Sequence, residues 1–292
     1  MKDAKFIVTG ILFAIFWASA ATATKIGLQS AQPFVLAITR FLLAGSLMIL
    51  VAVFLLKKRQ PSSTEWKPIA IYGFLNVSLY LGLYVIALQS TSAGIASLSL
   101  AINPVLISIM AAILFKYKFT VISIFSLVLC SIGVLIAAWP LLKNGYTSPV
   151  GFIILLVSML AYSGAAIFYT KQNWNDLDIL TINGWQTLLG GLFLLPVGIY
   201  FYNPALNRYD GKFWTGILWL AIPVSIGAVQ AWMLLLKKNP VTAAYWLYLC
   251  PVFGFLIAAC VLHEPISFYT ITGLILVILG VYLIQRKNFR QI

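Results

Sequence analysis

Apolar residues run on for about twenty positions at a time, ten times over, and no water-soluble globule can absorb that pattern. A helix needs about 20 apolar residues to cross the hydrocarbon core of a bilayer. Such runs occupy residues 6–24, 33–56, 68–89, 92–115, 120–139, 149–170, 179–202, 213–236, 241–262 and 266–285. A soluble domain carries roughly 45–50% apolar and about 25% charged residues; here 62% are hydrophobic and 9% charged. The surplus apolar surface has no core to enter, so lipid must solvate it. Short connections predict that sequence neighbours pack antiparallel, in an all-α membrane protein of ten transmembrane helices. Pro33, Pro68, Pro149 and Pro240 fall at or beside the predicted helix starts, where a missing N–H is tolerated.

The net charge of +13 does not imply nucleic acid, because the basic residues form no single patch. They sit in short clusters between apolar runs, as topology signals do. One side receives Lys2, Lys5, Lys57, Lys58, Arg59, Lys67, Lys116, Lys118, Lys171, Lys237, Lys238, Arg286, Lys287 and Arg290, which is 14 of 19. The other receives Lys25, Lys143, Arg208 and Lys212. The positive-inside rule then predicts both termini in the cytoplasm of a multi-pass protein of the inner (plasma) membrane. Cys130, Cys250 and Cys260 all lie in apolar runs and read as free packing thiols.

The second half echoes the first at an offset of about 146–148 residues. Thr24-Lys25 matches Thr170-Lys171, and the stretch from Arg40 to Gly45 matches that from Gln186 to Gly191. Trp66 matches Trp214, Tyr84 matches Trp232, Pro104 matches Pro251, and Gly133-Val134 matches Gly280-Val281. Each half holds five runs. Five is odd, so the second copy enters the membrane upside down, giving two inverted five-helix repeats at 1–140 and 146–292. That build places a solute site near the midplane between the repeats. Residues 1–23 also resemble a secretory signal, with small residues Ala18-Ser19-Ala20 after an apolar run. The repeat argues for keeping them, since the sixth run needs its partner.

The small-residue-then-proline pattern Ala96…Pro104 and Ala243…Pro251, Glu264 after the ninth run, and the glycine-bearing fifth helix of each half resemble the drug/metabolite transporter superfamily, specifically EamA-type ten-helix permeases. The resemblance covers essentially the whole chain. It implies a central cavity lined by helices 1–4 and 6–9, with 5 and 10 outside, in a family that hosts amino-acid, nucleotide-sugar and drug carriers. The place equivalent to Glu264 is often acidic in both halves of such proteins; here the first half has Lys116-Tyr117-Lys118.

The acids Asp3, Glu65, Asp176, Asp178, Asp210 and Glu264 all lie away from mid-span. Proton-coupled carriers keep an ionisable relay in the membrane, so the sequence points to facilitated diffusion or exchange. Arg40 is the charge placed within a run, about 10 Å from its end at 1.5 Å per residue. It reads either as an anchor for a substrate carboxylate or as a snorkelling cation. Gln186 is its repeat mate. Trp17, Asn76, Tyr80, Tyr84, Asn103, Tyr162, Gln230, Trp232, Tyr245 and Tyr248 gather at mid-depth as cavity candidates, set against ordinary membrane packing. Pro104 and Pro251 are hinge candidates, since proline breaks the helical ladder. Ala14, Ala18 and Thr22 form a small-residue stripe on the first helix.

These readings predict a permease, an exporter or exchanger, for an amino acid or other carboxylate-bearing amphiphile. It would work by alternating access, as a monomer or weak homodimer. A multidrug exporter is the neighbouring alternative; a channel, a receptor or a membrane enzyme is the alternative of another class. No metal or cofactor cluster is legible, and His263-Glu264 lacks the second histidine of a metalloprotease helix.

Overall fold

The computed structural model describes residues 3–116, 119–143, 148–263 and 266–290. Glu264, Tyr117 and Lys118 lie outside them. The described residues form helices and connections, with no strand among them. In chain order the rods are α1 (Asp3–Gly27), α2 (Pro33–Leu55), α3 (Ser63–Ala87), α4 (Ile95–Phe115), α5 (Val121–Lys143), α6 (Pro149–Lys171), α7 (Ile179–Tyr200), α8 (Gly211–Lys238), α9 (Pro240–Leu262) and α10 (Phe268–Arg290). Among the described residues, eight helices are long and apolar enough to cross a membrane. In α5 and α10 the apolar stretches are shorter, Val121–Ala137 and Phe268–Leu283. Large side chains such as Phe54, Ile113, Val121, Leu135 and Ile199 stand exposed on the outside. In water that surface would be ruinous; in a bilayer it is solvated. The protein is a multi-pass membrane protein.

Local chemistry explains the helix ends. Pro33, Pro149 and Pro240 open α2, α6 and α9 at the first turn. Pro68 does not open a helix: α3 starts earlier, at Ser63, because Ser62 and Glu65 form a capping box that satisfies the first free N–H groups. The chain leaves α4 and α9 through left-handed residues, Lys116 (φ 53°) and His263 (φ 56°).

Two kinds of interior irregularity come in matched pairs, while a further π stretch at Val51–Leu55 ends α2 without a counterpart in α7. A π-helical stretch interrupts α3 at Phe74–Leu81, and another interrupts α8 at Leu220–Ala228. A 3₁₀ turn interrupts α4 at Leu100–Ile102, and another interrupts α9 at Tyr245–Tyr248. Pro104 and Pro251 follow those 3₁₀ turns. A proline ring clashes with the carbonyl four residues back, which is Leu100 for Pro104 and Leu247 for Pro251. Both carbonyls lie within the tightened turn.

The core sits among α1, α3, α6 and α8, with α2 packed on α7 and α4 on α9 beside it. Ala14, Ala18 and Thr22 on α1 are all buried, letting α1 approach α8 and α9. A side chain at Gly45 would collide with the backbone of Leu188, which is why α2 and α7 can lie so close. Helices α5 and α10 pack chiefly on each other. Gly133 and Gly273 face one another there, and a Cβ on either would run into the other's carbonyl oxygen.

Candidate functional site

An aromatic stripe comes first. Tyr72, Asn76, Tyr80 and Tyr84 recur every four residues along α3. In a pure α-helix a four-residue step overshoots the turn, so the stripe would drift around the rod. The π stretch at Phe74–Leu81 holds more residues per turn and undoes the drift. All four residues are therefore buried.

Five sequence candidates meet in one cluster on this stripe. Tyr80 lies 4.7 Å from Tyr162 and 5.9 Å from Tyr84, ring centre to ring centre. Trp17 stacks beside Tyr80 and Tyr162 at 6.4 and 6.0 Å. Trp232 lies 5.6 Å from Tyr162. Phe13, which sequence reasoning missed, joins Trp17 to Trp232 at 5.8 and 5.0 Å. It lies four residues before Trp17, hence on the same face of α1.

A polar network runs alongside. The Arg40 Nε donates to Ser225 Oγ at 2.8 Å. Asn183 donates to the Ser225 carbonyl at 3.0 Å. Gln186 donates to Asn183 Oδ1 at 3.0 Å and to Thr187 at 3.1 Å. Asn76 donates to Gln186 Oε1 at 3.4 Å. Every member is buried, and Gln186 meets Arg40 through two intermediaries. Asn183, Gln186 and Thr187 share one face of α7 at i, i+3 and i+4, a polar signal readable in an apolar helix. Ser225 carried no such signal.

Arg40 is the unbalanced member. It is 5% exposed. Its guanidinium carbon sits 5.2 Å from the Phe41 ring centre, and its Nη2 has no hydrogen-bond partner. Among the described residues no carboxylate pairs with it: the ion pairs are Lys58–Asp178 and Arg59–Glu65. Arg40 and Tyr84 border a cavity of about 10 Å³ with Thr24, Phe41 and Leu220, the room for one water. The site is closed in this conformation.

Other candidates take different roles. Tyr245 and Tyr248 stay outside the cluster. A 3₁₀ turn holds three residues, so positions three apart eclipse; both hydroxyls turn to α5, on Ser123 O at 2.9 Å and Ser131 Oγ at 3.2 Å. Asn103 is satisfied within the protein, donating to Met159 Sδ at 3.1 Å and accepting from Ser163 at 3.0 Å. Gln230 stands two residues from Trp232, on another face of α8, with its Oε1 unpartnered. Pro104 and Pro251 lie at the ends of the 3₁₀ turns described above.

Both ends of the bundle are tied by paired loops. At the lysine-rich end Lys58 pairs with Asp178 at 3.1 Å. Arg59 grips Glu65 with two 2.8 Å bonds and donates to the Asn175 carbonyl. The bond to Glu65 raises the Arg59 guanidinium pKa above its ordinary value. Trp185 donates to Gln60 Oε1 at 2.8 Å. At the opposite end the tie is neutral: Gln32 accepts from Asn203 N and Asn207 Nδ2 at 2.8 and 2.9 Å, and donates to the Phe201 carbonyl at 2.9 Å.

Comparison with known proteins decides the family. Residues 4–139 and 149–286 each match the EamA-like transporter family. The chain belongs to that family. An uncharacterized transporter of Bacillus subtilis, YvbV, is 24% identical over all of this chain and 96% of its own length. An uncharacterized transporter of Archaeoglobus fulgidus is 27% identical over 97% of this chain and 99% of its own. Protein PecM of Dickeya dadantii is 23% identical over 92% of this chain and 88% of its own. A solved crystal structure shares the fold at a TM-score of 0.78, with 18% identity over 99% of both chains. This EamA-like protein is thus a membrane transporter, in a family whose names indicate transport rather than catalysis.

Proposed function

We propose that this EamA-like transporter carries an amphiphilic solute with a carboxylate, such as an amino acid, by alternating access through the site around Arg40. The carrying observation is the buried guanidinium with no acid partner and one unpartnered Nη2. A cation at membrane depth costs ~2.5 kcal/mol or more unless it is relieved. A carboxylate reaching Arg40 relieves it, and its two oxygens match the guanidinium fork. The aromatic cluster supplies the apolar wall an amphiphile needs. The same positive charge disfavours cationic drugs, which sets the multidrug reading second.

Ten membrane helices in two inverted repeats, 1–140 and 146–292, fit the paired irregularities of α3 with α8 and of α4 with α9. The cluster then draws on the repeat-related pairs α1 with α6 and α3 with α8. The lysine-rich end is cytoplasmic on this reading, with both termini on that side of the inner membrane and the protein working as a monomer or weak homodimer. Facilitated diffusion or exchange fits the lack of an acid at mid-span, the family resemblance favours export over uptake, and Pro104 and Pro251 serve as hinges.

Counterflow in proteoliposomes tests the reading. Uptake of a labelled carboxylate should saturate, be stimulated by unlabelled solute inside, and be lost in Arg40→Gln. Full counterflow in that variant would refute Arg40 as the anchor. Flux that does not saturate would indicate a channel.

A further inference from the structure

Tyr72 and Tyr80 on α3 face Tyr169 and Tyr162 on α6. Tyr162 and Tyr169 are seven apart, hence on one face of α6 and about 10 Å apart along its axis; Tyr72 and Tyr80 are eight apart, kept on one face of α3 by the π stretch at Phe74–Leu81. Two antiparallel stripes so spaced make a ladder, and here its rungs are Tyr72–Tyr169 at 5.3 Å and Tyr80–Tyr162 at 4.7 Å. Tyr72, Tyr162 and Tyr169 are each at most 1% exposed, yet none of their hydroxyls has a hydrogen-bond partner. Buried hydroxyls are normally paired, because leaving one unpaired costs ~1–3 kcal/mol. Three along one line need a shared explanation.

The ladder ends under a pocket at the lysine-rich end. Tyr169 lines it together with Thr170, Gln172, Trp174, Asp176 and Lys237, and its volume is about 240 Å³. One carboxylate and one ammonium thus border a single space. They form no ion pair with each other; the ion pairs of the described residues lie elsewhere. Two opposite charges lining one small pocket, with Arg59 also acting on Asp176, complement a molecule that carries both charges.

We propose that this pocket is a second solute site, a vestibule for a zwitterion of amino-acid type. Asp176 takes the ammonium and Lys237 the carboxylate. The orphan hydroxyls of Tyr169 and Tyr72 then receive the carboxylate on its way to Arg40. The proposal rests on the transporter reading above and narrows its solute from any carboxylate to a zwitterion.

Three probes share one side chain: L-leucine carries both charges, isocaproate only the negative one, isoamylamine only the positive one. Calorimetric titration of the full-length protein is run in the wild type and in Arg40→Gln, where binding at the central site is removed. Leucine should bind at least about tenfold more tightly than either analogue in both proteins. Asp176→Asn should erase its advantage over isocaproate, and Lys237→Gln its advantage over isoamylamine. Asn is well suited to the left-handed backbone of Asp176, φ 59°, so that variant keeps the loop. Tyr169→Phe should weaken leucine while the ring packing stays. Equal binding of the three probes in Arg40→Gln overturns the vestibule, as does unchanged leucine affinity in both charge variants. Retained counterflow in Arg40→Gln overturns the anchor instead and leaves the vestibule judged by titration alone.

Discussion

Replacing Arg40 by methionine separates a functional cation from a structural one. A guanidinium at membrane depth costs ~2.5–3.5 kcal/mol on insertion scales. The 2.8 Å bond to Ser225 returns ~1.5–3 kcal/mol as a bond from a charged group. The Phe41 ring at 5.2 Å returns ~0.5–2 kcal/mol. These nearly cancel. Methionine has similar length, needs no partner, and leaves one Ser225 hydroxyl unsatisfied at ~1 kcal/mol. Arg40→Met should therefore stay within ~2 kcal/mol of wild type, in line with buried charges being replaceable by apolar residues. Thermal unfolding in detergent should show a midpoint within a few degrees of wild type, while the stabilisation given by a carboxylate solute disappears. A variant that loses more than ~4 kcal/mol would make Arg40 a structural element. One that still gains stability from the carboxylate would show that the anion binds elsewhere.

The network and the helix pair outside it give further tests. Asn183→Ala removes the link between Gln186 and Ser225; it should cost ~1–3 kcal/mol in an unfolding titration and weaken carboxylate binding, whereas unchanged binding would detach the network from the site. Gly273→Leu forces a side chain into the carbonyl of Gly133, so α10 should separate from α5 and thermal stability should fall while solute affinity stays; a lost affinity would put α10 in the binding machinery. Asp210 caps α8 by accepting from Phe213 N and Lys212 N; the Phe213 bond, a hydrogen bond with Ser30 and the Lys212 bond hold its carboxyl pKa below the ordinary value. The cap's contribution is present above the unfolded pKa of about 3.9 and is lost as pH falls through the lower folded value. Acid melts of Asp210→Asn should lack that part of the wild-type decline; identical acid curves would remove the cap from the account.

How much was legible depended on whether the signal was local. Apolar runs and short connections mark the helical rods, because lipid imposes both length and composition. The start of α3 shows the limit: Pro68 looked like a first residue, but the polar first turn from Ser63 carries the capping box and continues the helix upstream of the apolar run. Arg40 stood out as the charge within a run. Its partner Ser225 is one serine among many, brought to it by the packing of α2 on α8. Tyr245 and Tyr248 show the other side of this limit: their composition suits a cavity, while the 3₁₀ turn that directs their hydroxyls to α5 is not written in the composition. The period-four stripe of α3 was visible as spacing, yet only the π stretch explains why it stays on one face.

Cys250 is buried in the same core as Tyr80, Tyr84 and Tyr162, so it reports whether the site opens. With Cys260 replaced by serine, a membrane-impermeant thiol reagent is applied to each side of proteoliposomes in turn. Lys58→Gln breaks the charged tie to Asp178; Gln32→Ala breaks the neutral one. Alternating access predicts reciprocal behaviour: Lys58→Gln speeds Cys250 labelling from the lysine-rich side and Gln32→Ala from the other, and a bound carboxylate protects in both. Labelling from both sides at once in a single variant, or from neither side in either variant, would contradict it.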